Sequence, residues 1–359
     1  MDYKIDTLIH QYIYNDILTV ANGDINWDKL RNKTILITGA GGFIGYYLTM
    51  AMLIRNDLYG DNIKVLALVR NKEKTEKRFG DALNRDDIKI IVQDVCSDIN
   101  IEDKADYVIH AASQASAYFF ENDPVGTIDA NLTGTYKVLD YAKRCDAVTL
   151  FVSSLKVYGA LHTGKDKIEE TDIGYIDHTD FKNCYAQGKR ASETLCASFN
   201  KQYGMSIKIA RPSYIYGPSS LTDDRVWAQF IANIVKHQSI LLKSAGAPYR
   251  SFCYVTDTAT ALLKIMLDGK DIYPYNISAE HSNVTIRNFA RKAVEAFPER
   301  NLTLSFANKE DEKEPVLSVM GATPEILDST RLNNIGWQAK VDLTEGIKRA
   351  VKIVELQNS

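Results

Sequence analysis

The chain has 359 residues, enough for one large α/β domain or for a large domain with a smaller lobe. Its composition is that of an ordinary globular protein, 45% hydrophobic and 25% charged, and a net charge of -3 without long single-sign blocks argues against a nucleic-acid partner. Five cysteines without a CxxC pair fit a reducing cytoplasm, and no window approaches the ~18 apolar residues of a membrane span, so a soluble protein is expected.

Residues 5 to 20 set Ile5, Leu8, Ile9, Ile13, Ile17 and Val20 on one helical face, with Asp6 as the N-cap and Gly23 just past the end. Residues 1–32 therefore read as an appended helix that packs on the main domain or on a neighbouring subunit, with a membrane-surface role as the alternative. From Lys33 onward, short β-rich runs alternate with helical stretches: Thr34–Thr38, Lys64–Val69, Lys89–Val92, Tyr107–Ala111, Thr149–Val152 and Ser206–Ala210. Alternation of this kind predicts an α/β fold, a doubly wound parallel sheet over residues 33–215, with function at the carboxyl ends of the strands. After Pro212 the pattern becomes irregular, with helices near Val226–Lys236, Asp257–Leu267 and Ile286–Ala296. Residues 216–359 are assigned mainly to a smaller mixed α/β lobe that covers the substrate, some segments returning to the first domain.

Gly39, Gly42 and Gly45 fall in the spacing GxxGxxG between the first strand and a helical pattern. Glycines there let the backbone turn tightly and approach a pyrophosphate, whose charge meets the first N–H groups of the helix; this predicts a Rossmann-type dinucleotide site for NAD or NADP. Phe43 and Ile44 lie inside the same loop and join the candidate contacts. The second strand runs into Arg70 instead of a carboxylate, and a guanidinium suits a 2′-phosphate, which tilts the choice toward NADP. Asp94, with Val95 beside it, is placed to meet the adenine amine, while Ala111, Ala112 and Ser113 leave room for the cofactor backbone. His110 reads as a hydrogen-bonded core residue.

Tyr185 and Lys189 are four apart in a helix-compatible stretch and so share one face. A neighbouring ammonium favours the phenolate, which can then take a proton from a hydroxyl while hydride leaves the same carbon. Ser154, at the end of a predicted central strand, is the candidate partner that orients the reacting oxygen. No metal is expected.

The segments TGAGGFIG, HAAS, NLTGT, SSLKVYG, YAQGK, RPSYIYGP and RSFCYVTD occur in this order, and the chain thereby resembles the extended short-chain dehydrogenase/reductase family of nucleotide-sugar epimerases, dehydratases and decarboxylases. The resemblance implies a catalytic set of Ser154, Tyr185 and Lys189, with Lys189 also touching the nicotinamide ribose, Asn131 near the active-site backbone, Pro212 beside the nicotinamide, and Arg250 on the substrate diphosphate. Two stretches are most similar to UDP-glucuronate decarboxylases, and Gln229 sits where such enzymes usually carry an asparagine. Decarboxylases and dehydratases usually place a carboxylate two residues before the tyrosine of the VYG element; here Lys156 stands there, a candidate substrate-binding residue that makes dehydration by an acid–base pair unfavourable.

The resulting expectation is a nucleotide-sugar enzyme that transfers hydride at sugar C4. Epimerisation is placed first, with UDP-glucuronate decarboxylation, NADPH-dependent reduction of a 4-keto sugar and a non-catalytic cofactor sensor as alternatives. A homodimer is the expected assembly.

Overall fold

The run Thr34–Thr38 (β1) is mostly β-branched, and its burial on both faces marks a central strand. The computed structural model describes residues 3–162, 164–313 and 324–358. The further strands are Lys64–Val69 (β2), Ile88–Val92 (β3), Tyr107–His110 (β4), Val148–Val152 (β5), Ile207–Pro212 (β6), Tyr214–Tyr216 (β7), Ile240–Leu242 (β8), Tyr249–Tyr254 (β9), Pro274–Ile277 (β10), Asn283–Thr285 (β11) and Leu304–Phe306 (β12). Seven of them form one parallel sheet in the order β10-β6-β5-β4-β1-β2-β3. The fold is thus the Rossmann-type doubly wound sheet. Its strand order reverses between β1 and β4, which opens a crevice beyond their carboxyl ends.

The six strands expected from the sequence lie within two residues of the observed ones. The seventh, β10, comes from the C-terminal region and carries Pro274 at its first position on the sheet edge, where a missing N–H costs no ladder bond.

The helices are Ile5–Leu8 (α1), Gln11–Ala21 (α2), Phe43–Tyr59 (α3), Lys72–Phe79 (α4), Ala117–Asn122 (α5), Pro124–Cys145 (α6), Cys184–Tyr203 (α7), Val226–Val235 (α8), Val255–Asp268 (α9), Ile286–Glu295 (α10), Thr330–Asn333 (α11) and Leu343–Asn358 (α12). Alternation along β1 divides the core into two layers. Ile35 and Ile37 join Ile17 of α2, Met50 of α3 and Leu262 of α9, whereas Leu36 joins Val138 of α6 and Phe199 of α7 on the opposite face. Two small sheets, β11-β9-β7 and β12-β8, with α8 and α10, build the C-terminal lobe. Among the described residues no helix is long and apolar enough to cross a membrane.

The N-terminal stripe is present but breaks into two helices. Ile9 and His10 are extended, and the His10 side chain, not Asp6, supplies a cap by accepting from Tyr12 N at 3.1 Å. The first turn is pinned instead to α3, because Asp57 takes the Ile5 amide at 2.8 Å. Ile5, Ile17 and Val20 are fully buried against the main domain.

Candidate active site

At the end of β1 the chain turns through Gly39 at φ +71°, a left-handed conformation natural to glycine, and enters α3 at Phe43. A Cβ on Gly39 would meet the Ala112 backbone at 3.0 Å, and one on Gly45 would collide with the Gly39 carbonyl. The loop therefore lies flush against β4 and α3. It opens onto a cavity of about 160 Å³ lined by Gly39, Arg70, Asp94, Val95, Ala112 and Ser113. The bare glycine turn, the small side chains after β4 and the start of a 17-residue helix fit a dinucleotide.

Other expected cofactor contacts differ in what holds them. Arg70 is exposed on the rim, and among the described residues no carboxylate pairs with it. Asp94 takes the Cys96 amide at 2.9 Å. Ser113 donates to the buried Asn131 at 3.1 Å, and Asn131 donates in turn to the Thr127 carbonyl at 2.8 Å. Ala111 and Ile44 pack against the core, Phe43 stacks on Trp227 at the start of α8, and Pro212 ends β6.

β5 delivers Ser153 and Ser154 to the same edge of the sheet. The Ser154 hydroxyl accepts from the Lys156 amide at 3.2 Å at the head of a single tight turn, Leu155–Tyr158. α7 brings Tyr185 next to this hydroxyl, near enough for Ser154 to act on the phenol. Phe120 of α5 covers the Tyr185 ring, with centroids 5.0 Å apart and planes at 23°. Burial raises the phenol above its ordinary value, while Ser154 and the charge of Lys156 act against that rise.

Lys189 lies one turn further along α7, 5.8 Å from the Tyr185 ring centre, and donates to the Val152 carbonyl at 2.8 Å. Burial pushes its ammonium down to about 7. Two ammonium groups thus stand near the phenol, Lys189 from the same helix and Lys156, which the sequence reading had placed on the substrate. His110 is a core residue held by Thr38 at 2.8 Å and Thr135 at 3.1 Å, and burial, with the nearby Lys189 charge, lowers it to about 3.

On the lobe side of Ser154 the structure assembles a cluster. Lys156 Nζ lies 2.7 Å from Glu325 Oε1 and 2.9 Å from the Tyr214 hydroxyl. Tyr214 donates to Glu325 Oε2 at 2.7 Å, and Arg250 Nε stands 3.2 Å from the same oxygen, with its guanidinium over the Tyr214 ring. Burial pushes the Glu325 carboxyl up, but Lys156, Tyr214 and Arg250 outweigh it and hold it below the ordinary range. Gln229 is exposed and spends its amide on the Asp224 carbonyl at 2.8 Å, so the structure does not bring it into this cluster.

The model of the NAD dependent epimerase/dehydratase family matches residues 35–278. The chain belongs to this family. It is an NAD(P)-dependent enzyme of the extended short-chain dehydrogenase/reductase type. This epimerase/dehydratase-family chain is 31% identical over 321 residues to UDP-glucuronic acid decarboxylase 3 of Arabidopsis thaliana, across 88% of this chain and 87% of that protein. Its fold matches UDP-glucose 4-epimerase of Thermotoga maritima with a TM-score of 0.73 at 22% identity, over 91% of this chain and 100% of that one. It also matches dTDP-glucose 4,6-dehydratase of Bacillus anthracis, with a TM-score of 0.72 at 17% identity over 90% and 97% of the two chains.

Three members of this family site were not found by reading the sequence: Phe120, Tyr214 and Glu325. Tyr214 lies inside the RPSYIYGP segment and Phe120 between HAAS and NLTGT, but nothing in their spacing marks them as site residues. Glu325 is 169 residues from Lys156, and no local pattern relates the two.

Proposed function

We propose that this enzyme oxidises and re-reduces C4 of a nucleotide-linked sugar with inversion, as an epimerase. The observation that supports the reading is the grouping of Ser154, Tyr185 and Lys189, with Tyr185 next to Ser154 and the Lys189 ammonium 5.8 Å from the Tyr185 ring. Bound there, the nicotinamide cofactor supplies hydride acceptance and return. The rest falls to side chains. Ser154 orients the C4 oxygen, Tyr185 takes and gives back its proton, and Lys156 favours the phenolate electrostatically. Lys189 holds the β5 end through Val152, and the resemblance adds the nicotinamide ribose to its contacts. The glycine loop, Ala112 and Ser113 face the pyrophosphate, Asp94 the adenine, and Arg250 the substrate diphosphate.

Dehydration needs a free carboxylate base near the sugar, and Glu325 is engaged on both oxygens and held ionised by two cations. Decarboxylation is the second reading, favoured by the 31% identical Arabidopsis relative. For the cofactor we favour NADP, because Arg70 on the cavity rim presents a guanidinium to a 2′-phosphate. Exposed Val125, Tyr136 and Tyr203 on α6 and α7 support a homodimer through these helices, and five free thiols suit the cytoplasm.

The test is incubation with UDP-, dTDP-, GDP- and CDP-sugars, with and without NADPH, followed by mass spectrometry and stereochemical assignment. The expected product has unchanged mass and inverted C4. Loss of carbon dioxide establishes the second reading, consumption of NADPH establishes a reductase, and loss of water overturns the argument from Glu325 and Lys156.

A further inference from the structure

Lys156 and Glu325 together offer what neither offers alone. Of the three ammonium hydrogens, one goes to Glu325 and one to Tyr214, which leaves one. Both side chains stay partly exposed, 41% and 34%. The carboxylate is also built into the wall. Ser251 N donates to the Glu325 carbonyl at 3.1 Å, and Leu327 N donates to Ser251 Oγ at 3.1 Å, tying the segment to β9 directly after the side chain.

We propose that Glu325 is a specificity-determining residue: the Lys156–Glu325 pair accepts a sugar that turns a hydroxyl toward it and rejects one that turns a carboxylate, which makes the substrate a neutral hexosyl rather than a uronosyl nucleotide. The proposal rests on the reading of the site as a nucleotide-sugar enzyme. A hydroxyl both donates and accepts, so the spare Lys156 hydrogen and a Glu325 lone pair satisfy it together. A carboxylate only accepts. It would have to share the ammonium with Glu325 and lie against a like charge in a cleft only partly open to water. Arg250 stays available for the diphosphate, since its two terminal nitrogens have no hydrogen-bond partner among the described residues.

The experiment is titration calorimetry on the full chain with NADPH or NADH, which fills the crevice without oxidising the sugar. The probes are UDP-glucose against UDP-glucuronate and dTDP-glucose against dTDP-glucuronate; within each pair the nucleotide cancels. The wild-type protein is expected to bind the hexose member about tenfold tighter or more, and Glu325→Gln, which keeps the shape but removes the charge, to bring the two within about threefold. Equal or tighter binding of the uronate by the wild-type protein overturns the proposal, as does an unchanged ratio in Glu325→Gln or failure of both pairs to bind. Should the variant not fold, the wild-type ratio decides alone. Hexose selectivity without a mass-neutral product would leave this inference standing while removing the epimerase reading.

Discussion

Ser153 gives its hydroxyl to Glu193 at 2.6 Å, and the same carboxylate takes the Arg211 guanidinium at 2.9 and 2.6 Å. One carboxylate on α7 thus locks the ends of β5 and β6 together, one turn past Lys189 and one residue before Ser154. Glu193→Ala leaves Arg211 without its carboxylate and loosens the strand that carries Ser154. We expect kcat to fall about tenfold or more with KM little changed, and Glu193→Gln to recover part of the loss. Steady-state kinetics decide; an unaltered kcat in the alanine variant removes Glu193 as a positioning residue.

Tyr185→Phe deletes only the phenolic oxygen, and the ring keeps its stack on Phe120. Turnover should drop by roughly a thousandfold, since acid–base catalysis of this kind supplies about 10²–10⁴. Cofactor binding, measured by fluorescence titration, should stay within about threefold of wild type. Turnover at the wild-type rate would discard the assignment.

Burial brings Lys189 to about 7 from an ordinary 10.5. Between those values the unfolded chain carries more protons than the folded one, so this group makes stability rise with pH, and its burial costs most at pH 7 and below. In cofactor-free protein, the unfolding free energy of wild type relative to Lys189→Met should therefore increase by roughly 2–4 kcal/mol between about pH 7 and 10. Urea titrations at the two pH values measure it. A pH-independent difference would mean that Lys189 keeps its ordinary basicity.

Arg70→Asp replaces a donor fork by an acceptor at the tip of β2. The ratio of NADPH to NADH affinity should fall about tenfold or more, because a carboxylate repels the 2′-phosphate and suits a ribose hydroxyl. Dissociation constants for the two cofactors test this; an unmoved ratio leaves Arg70 as a surface residue.

Asp16 on α2 is almost fully buried and accepts from Tyr47 at 2.8 Å, Tyr254 at 2.9 Å and Arg349 at 3.3 Å. Asp16→Ala orphans two buried hydroxyls and removes one of the two carboxylates on Arg349, which keeps Glu345, and should cost about 3 kcal/mol in urea unfolding. A loss below about 1 kcal/mol would make the N-terminal helices bystanders to stability.

The strands, the glycine turn and the shared face of Tyr185 and Lys189 were legible in the sequence because each depends on neighbours only a few positions away. A β-branched run between polar turns, three glycines ahead of a helix, and an i, i+4 pair are local patterns with local causes. The grouping of Ser154 with Tyr185 was inferred from motif order, and the fold places the two side chains near each other.

What lay beyond local pattern was decided by packing across the sheet and lobe. Lys156 looked like the loss of a carboxylate, yet Glu325 arrives beside it from 169 residues away along β9. The stripe of residues 5 to 20 predicted one helix, but attachment of Ile5 to Asp57 and the cap at His10 divide it in two. The amino-acid order alone determined the doubly wound sheet and its dinucleotide turn, because these follow from backbone preference and short-range hydrophobic period. Which charges meet around Ser154 only the tertiary structure decided, because electrostatic coupling depends on distance and burial and neither is encoded in sequence separation.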